Sequence, residues 1–184
     1  MTESIIWSNV IDVATIVLSL GAVATAYFSW RIGKESLVAQ ERHNRRSLRP
    51  IPYIALADYE HYLRVNLVND GAGPYIVKSL KVEKDNICKN DVISWMDSPP
   101  DDIFWSNFTS QFFDRGVLPN NHITLLELRG DPSDSQFVEF RDKCRLSLSK
   151  LRVTLKYTDI YDEALPEIIR EFDWFARDKG TRRK

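Results

Sequence analysis

The sequence predicts a mainly β protein that carries an N-terminal transmembrane helix. Three observations lead there. Residues 13–30, VATIVLSLGAVATAYFSW, contain no charged side chain, and at about 1.5 Å rise per residue such a run is long enough to cross most of a bilayer's hydrocarbon core as a helix. Downstream, several short segments alternate apolar and polar residues with the period of two that marks a half-buried strand. Clusters rich in Asn, Asp, Gly and Pro separate them and supply the turns.

The 184-residue chain leaves roughly 150 residues after the membrane segment, the size of one ordinary domain with one core. The expected organisation is an outward N-terminus and transmembrane helix over residues 1–33, a juxtamembrane helix and connector over 34–50, a cytoplasmic β domain over 51–176 and a basic tail over 177–184. With 25 basic and 26 acidic residues, the formal net charge of -1 is too balanced for a surface given over to nucleic acid, so no nucleic-acid partner is expected. Cys88 and Cys144 lie far apart and belong to no C-x-x-C or Cys/His cluster, so no metal, redox motif or other cofactor is expected.

The apolar run is read as an anchor and not as a secretory signal. Small-x-small sites at residues 22–24 and 24–26 imitate a cleavage site, but a signal also has a basic segment ahead of a shorter apolar core. Here only Glu3 and Asp12 precede the run, whereas Arg31, Lys34, Arg42, Arg45, Arg46 and Arg49 follow it. Basic flanks stay in the cytoplasm, which sets the N-terminus outside and the C-terminal domain inside. Trp7 at one end and Tyr27, Phe28 and Trp30 at the other suit the aromatic belts at the headgroups. A buried helix of a soluble protein is the other home for such a run, but few of those are apolar all round at this length.

One face of the helix is small or polar: Ser8, Asp12, Thr15, Ser19, Ala22, Ala26, Ser29 and Gly33 recur at spacings of four and three. Val13, Ile16, Val17, Leu20, Val23, Tyr27 and Trp30 make the opposite, lipid-suited side. Small residues let helices approach closely, so the stripe is a candidate face for self-association or for a partner helix; membrane helices also use such residues freely. Asp12, near the outer end, can snorkel to the headgroups at little cost.

From Arg31 to Arg46 the sequence holds good helix formers and no proline, so the helix is expected to continue past the bilayer, where its arginines meet anionic lipid. Pro50 and Pro52 stop it, and residues 47–52 should form a stiff connector. His43-Asn44-Arg45, Ser47 and Arg49-Pro50, just inside a membrane helix, resemble the HNR-x-S-x-RP juxtamembrane motif of a widespread, poorly characterised group of small bacterial membrane-anchored proteins. Residues 67–74, with Asn69, Gly71, Gly73 and Pro74, look like the L-x-N-x-G-x-GP turn of the same group, and residues 157–163 resemble its late strand and turn. Arg46 and Tyr75 depart from the pattern, which expects apolar or small residues there. The resemblance implies a membrane-anchored β-rich domain and no particular activity.

Strands are expected over residues 52–59, 61–69 and 75–83. The turn at 69–74 draws on the freedom of its glycines to take positive φ; a phosphate-loop reading of Gly71-x-Gly73 fails because a strand follows instead of a helix. Residues 91–113, broken by Pro99 and Pro100, read as an irregular aromatic insertion with short helical pieces. Its Trp95, Phe104, Trp105 and Phe108 are either a satellite core or, because aromatic anchors dominate interface hot spots, a candidate partner surface. Residues 117–119 and 123–128 read as strands joined by a turn at Asn120-Asn121. Asp131 to Asp134 have helix-start chemistry, and Phe137, Phe140, Cys144 and Leu148 form the buried stripe of the helix that follows. A strand at 151–158, a turn at 160–163 and a final strand at 165–175 complete about seven strands, which suggests an immunoglobulin-like β-sandwich with a short helix and the aromatic insertion.

No catalytic motif is present, and His43, His61 and His122 lie at no metal-binding or catalytic spacing. Asp101, Asp102, Asp159, Asp162 and Glu163 read as solvated loop carboxylates. The expected function is therefore non-enzymatic: a single-pass module tethered in lipid whose β domain binds a protein partner, with self-association through the helix as a second contact. The alternative is a membrane-perturbing effector of a phage-defence or toxin-like system, in which the polar stripe assembles helices into a leaky bundle.

Overall fold

A computed structural model describes the backbone of residues 2–177 and the side chains of residues 15–177. Ser8 and Asp12 of the small-residue stripe therefore lie outside the described side chains, and most of the basic tail lies outside the described residues. The chain divides after Ser47 into two compact units.

The first unit is one helix, α1, Thr2–Ser47. With no proline before Pro50 and good helix formers beyond the apolar run, nothing interrupts the backbone ladder; 46 residues make a rod about 70 Å long. Every described side chain on it is exposed. The section Thr15–Ser47 is long and apolar enough to span a membrane, and its most apolar stretch averages a hydropathy of 1.3 with none of it buried.

The second unit is mainly β. Its strands are β1 (Pro52–Tyr59), β2 (Tyr62–Asn69), β3 (Tyr75–Lys84), β4 (Ile87–Lys89), β5 (Trp105–Phe108), β6 (Arg115–Val117), β7 (Asn121–Arg129), β8 (Arg152–Thr158) and β9 (Ile168–Glu171), with a helix α2 (Ser135–Leu148) between β7 and β8. All pairings are antiparallel. One sheet has the order β1-β2-β7-β5, and the other has β4-β3-β8-β9, with β6 also paired to β3. The alternation read in the sequence sends Leu63, Val65 and Leu67 of β2 and Val153 and Leu155 of β8 into one shared core; Val77, Leu80 and Val82 of β3 join it, the register shift between Val77 and Ser79 bringing Val77 and Leu80 to the same side. Helix α2 begins where Asp134 caps it, its carboxylate accepting from the Gln136 N–H at 2.9 Å, and it buries Phe137, Phe140, Cys144 and Leu148 as its spacing predicts.

Three expectations need correction. The insertion at 91–113 is not wholly irregular: Trp105–Phe108 is the edge strand β5, paired with β7. The strand expected at 117–119 lies at Arg115–Val117 and forms no hairpin with β7, because β6 pairs with β3 through Tyr75↔Val117 while β7 belongs to the other sheet. Asn120, at φ 53°, carries the chain between the sheets, and its N–H is held by the Asn69 carbonyl at 2.8 Å. The final strand is only Ile168–Glu171; a 3-10 turn at Asp173–Ala176 follows. Phe172 and Phe175 explain it: both are fully buried, and residues three apart share a face in a 3-10 turn but point to opposite faces in a strand. Asp85 and Asn86 (φ 51° and 65°) are the two central residues of a tight hairpin, the geometry of a type I′ turn, and return the chain as the short strand β4.

Candidate functional site

The resemblance motifs fall into both units. His43, Asn44, Arg45 and Ser47 sit on the last turns of α1, all exposed. Arg45 pairs with Glu41 at 3.0 Å, and the Ser47 hydroxyl donates to the Asn44 carbonyl at 3.0 Å. Arg49 and Pro50 belong to the β domain, where Pro50 is buried beside the turn after β2.

That turn is organised by Asn69, which is fully buried. Its Oδ1 accepts from the backbone N–H groups of Ile51 (3.2 Å) and Gly71 (3.0 Å), and its Nδ2 donates to the carbonyls of Gly73 (2.8 Å) and Val117 (3.1 Å). One amide side chain thus uses all four of its hydrogen-bonding sites to join the connector, the turn and β6. Asp70 adds a backbone bond to the Ile51 carbonyl at 3.1 Å. The glycines serve close approach and not positive φ, which no described glycine adopts. A Cβ on Gly71 would overlap the backbone of residues 49–51, and one on Gly73 would overlap the Leu48 carbonyl. Pro50, Asn69, Gly71, Gly73 and Pro74 therefore form a structural joint at the entry to the domain. Beside it, Tyr75 is fully buried with its hydroxyl unpartnered and its ring edge-on to Tyr157 at 5.5 Å. Burial raises the Tyr75 pKa. Burial also raises that of Tyr157, against the opposing pull of Arg49.

The aromatic insertion divides. Trp95 and Trp105 pack against the core: the Trp105 ring meets Phe140 edge-on at 5.7 Å, and Lys89 holds its ammonium 4.5 Å from the Trp95 ring centroid. Phe112 is buried, but Phe104 and Phe113 are 73% and 78% exposed, and Phe108, on β5, is about half exposed. Phe112 and Phe113 border a hollow of about 500 Å³ with Lys78, Leu80 and Gln111. At its rim Lys78 bridges Asp114 (2.9 Å) and Asp162 (3.3 Å); the bond to Asp114 is the main reason its pKa is raised. Sequence reading placed Trp95 and Trp105 among the candidate partner residues and left out Phe113. Adjacent phenylalanines in an irregular segment carry no periodicity that tells which of them turns inward.

On the helix stripe, the Ser19 hydroxyl donates to the Thr15 carbonyl at 2.7 Å, a bond within its own helix. Thr25, off the stripe, does the same to Gly21 at 2.8 Å. With the Ser19 donor used internally, what Thr15, Ser19, Ala22, Ala26, Ser29 and Gly33 offer a second helix is chiefly small size.

A polar hollow of about 510 Å³ lies between the β1–β2 turn and α2, lined by Asp58, Tyr59, Glu60, His61, Arg141 and Arg145. Arg141 donates to the carbonyls of Tyr59 (3.1 Å) and Glu60 (2.7 Å), while the buried Asp58 meets Arg145 at 3.6 Å and Arg177 at 3.7 Å. These bonds fasten the hairpin to the helix. The His61 ring lies against Tyr59 and Tyr62 and makes no ion pair with a carboxylate among the described residues. Among those residues no group of three metal-ligating side chains forms. The buried Cys144 thiol has its pKa pushed up to about 12, by burial first and by Asp97 second, so it stays a thiol at neutral pH and packs as a small apolar residue. No protein-family model matches the chain, and none of the curated proteins compared with it matches either.

Proposed function

We propose that this protein is a single-pass module of the bacterial inner membrane, N-terminus outside and β domain in the cytoplasm, whose domain binds a protein partner without catalysing a reaction. The observation that carries the reading is the pairing of an N-terminal helix without a buried side chain among those described with a domain that closes its own core and yet leaves Phe104, Phe108 and Phe113 in solvent. The charge step at Arg31 supports the orientation. The order β1-β2-β7-β5 against β4-β3-β8-β9 supports an immunoglobulin-like sandwich, since it follows strands A-B-E-D and C′-C-F-G of that fold, with α2 inserted between E and F. On that assignment the partner docks along β5, an edge strand of its sheet, with the phenylalanines as anchors. The resemblance of the joint residues to the small bacterial membrane-anchored group supports location and architecture.

A photo-crosslinking residue at Phe104 or Phe113 in the full-length, membrane-embedded chain tests the reading. One discrete adduct is expected from these positions and none from Ile87 or Ile169, exposed side chains elsewhere in the domain. Equal adducts from all four positions, or none, would contradict it.

A further inference from the structure

Along α1 the cationic side chains begin where the uncharged run ends, and they are not equivalent. A groove of about 550 Å³ runs along the helix beside Tyr27, Trp30, Arg31, Lys34, Val38 and Arg42. Trp30 and Tyr27 are well exposed, and the Lys34 ammonium stands 5.8 Å from the Trp30 ring centroid. Glu35 holds the Arg31 guanidinium at 3.2 Å, whereas Lys34 makes no ion pair among the described residues. The end of the groove nearest the apolar run thus joins two aromatic rings to two cations and one carboxylate.

We propose that Tyr27, Trp30, Arg31 and Lys34 bind the phosphate of an anionic phospholipid in the leaflet on the β-domain side. The inference rests on the membrane-anchored reading above. If the hydrocarbon edge lies at Trp30, Arg31 and Lys34 fall about 2 and 6 Å beyond it, inside a headgroup layer about 5–8 Å thick. Arg45 and Arg46 fall about 23 and 24 Å beyond it, and even a helix tilted by about 40° keeps Arg45 some 17 Å out. α1 is unbroken to Ser47, so these arginines cannot fold back to the surface, and the remaining gap exceeds the Debye length of about 8 Å. The basic stretch therefore has two parts, of which only the first reaches lipid. The rings suit the glycerol and upper acyl region while the cations meet the phosphate. A zwitterionic headgroup would bring a cation of its own against Lys34. A free phosphate would find only side chains exposed on one helix and would gain nothing from the rings, which commits the site to lipid.

The test uses the full-length chain in nanodiscs of phosphatidylcholine with a minority of phosphatidylglycerol, with the lipids that stay bound after mild detergent transfer counted by native mass spectrometry. Phosphatidylglycerol is expected to be retained above its share of the disc. Replacing Arg31→Gln and Lys34→Gln together should cut that enrichment, by up to about fivefold for each cation lost, while Arg45→Gln with Arg46→Gln should leave it unchanged. No enrichment in the unmutated chain, equal loss in both variant pairs, or displacement by added inorganic phosphate would each overturn the proposal. Alkaline carbonate washing of native membranes separates the two readings. A chain that washes off defeats the anchor and the lipid site together, and one that stays without enrichment defeats the lipid site alone.

Discussion

The helix and the β domain hold the same kinds of apolar side chain and dispose of them in opposite ways. In the domain Leu63, Val65, Leu67 and Leu155 have no exposed surface, whereas on α1 Ile16, Val17, Leu18, Leu20 and Val23 are 59–73% exposed. Each such side chain left in water forgoes about 1.5–3 kcal/mol. A domain that buries its own can be stable by itself; a helix with no buried side chain among those described is long and apolar enough for a bilayer to supply its surroundings. The comparison also says where mutations should be felt, since the domain responds to lost packing and polar contacts and the helix to a change of solvent.

The largest effect is expected at Asn69. Asn69→Ala removes four hydrogen bonds, three of them buried, and strands backbone groups on three segments, a loss on the order of 3–5 kcal/mol of domain stability, read by urea unfolding of the full chain in detergent. The helical signal of α1 should persist through that transition; simultaneous melting would break the division into two units. Next comes alkaline pH. The Cys144 thiol titrates from 9.0 in the open chain to about 12 in the fold, so above about pH 9 the unfolded chain releases a proton that the folded chain keeps. Stability from this thiol is intact below pH 9 and falls by about 1.4 kcal/mol per pH unit as the pH climbs toward 12. Cys144→Ala should flatten the slope in that window, leaving a smaller fall from the buried Tyr75, and an unchanged slope would argue against the thiol's burial. Tyr75→Phe removes an unpartnered buried hydroxyl and should stabilise the domain by about 1 kcal/mol. The smallest effects belong to exposed positions: Phe113→Ser and Ser19→Leu should each leave domain unfolding within about 0.5 kcal/mol, the first while reducing partner crosslinking. A larger drop for Phe113→Ser would place that ring in the core.

Sequence reading worked where periodicity is long enough to average. β2 and β8 run eight and seven residues, and α2 carries a cap and a three-and-four repeat, so each announces its inward face; β1 and β3, of eight and ten residues, are legible as strands. β4 and β6 have three residues each and β5 has four, no more than two full alternations, and the pairing of β5 and β6 is set by strands distant in sequence. The return to β9 was foreseen but overextended, because Phe172 and Phe175 are read as strand residues until their shared burial is known. The joint was visible as a pattern of residue types, yet its physics was not. Gly71 and Gly73 are required by the passage of residues 48–51, 20 or more positions away, and Asn69 by groups on three segments, which only the fold brings together. The insertion's aromatics were legible as a group and not one by one.

The central claim, that α1 spans the membrane and leaves the β domain in the cytoplasm, has a built-in reporter. Cys88 is exposed and Cys144 buried, so a membrane-impermeant maleimide should modify only Cys88 in the folded chain. In intact spheroplasts the account predicts no labelling, with Cys88 labelled once the membrane is permeabilised and the chain still resistant to alkaline carbonate. Labelling of Cys88 in intact spheroplasts would contradict it.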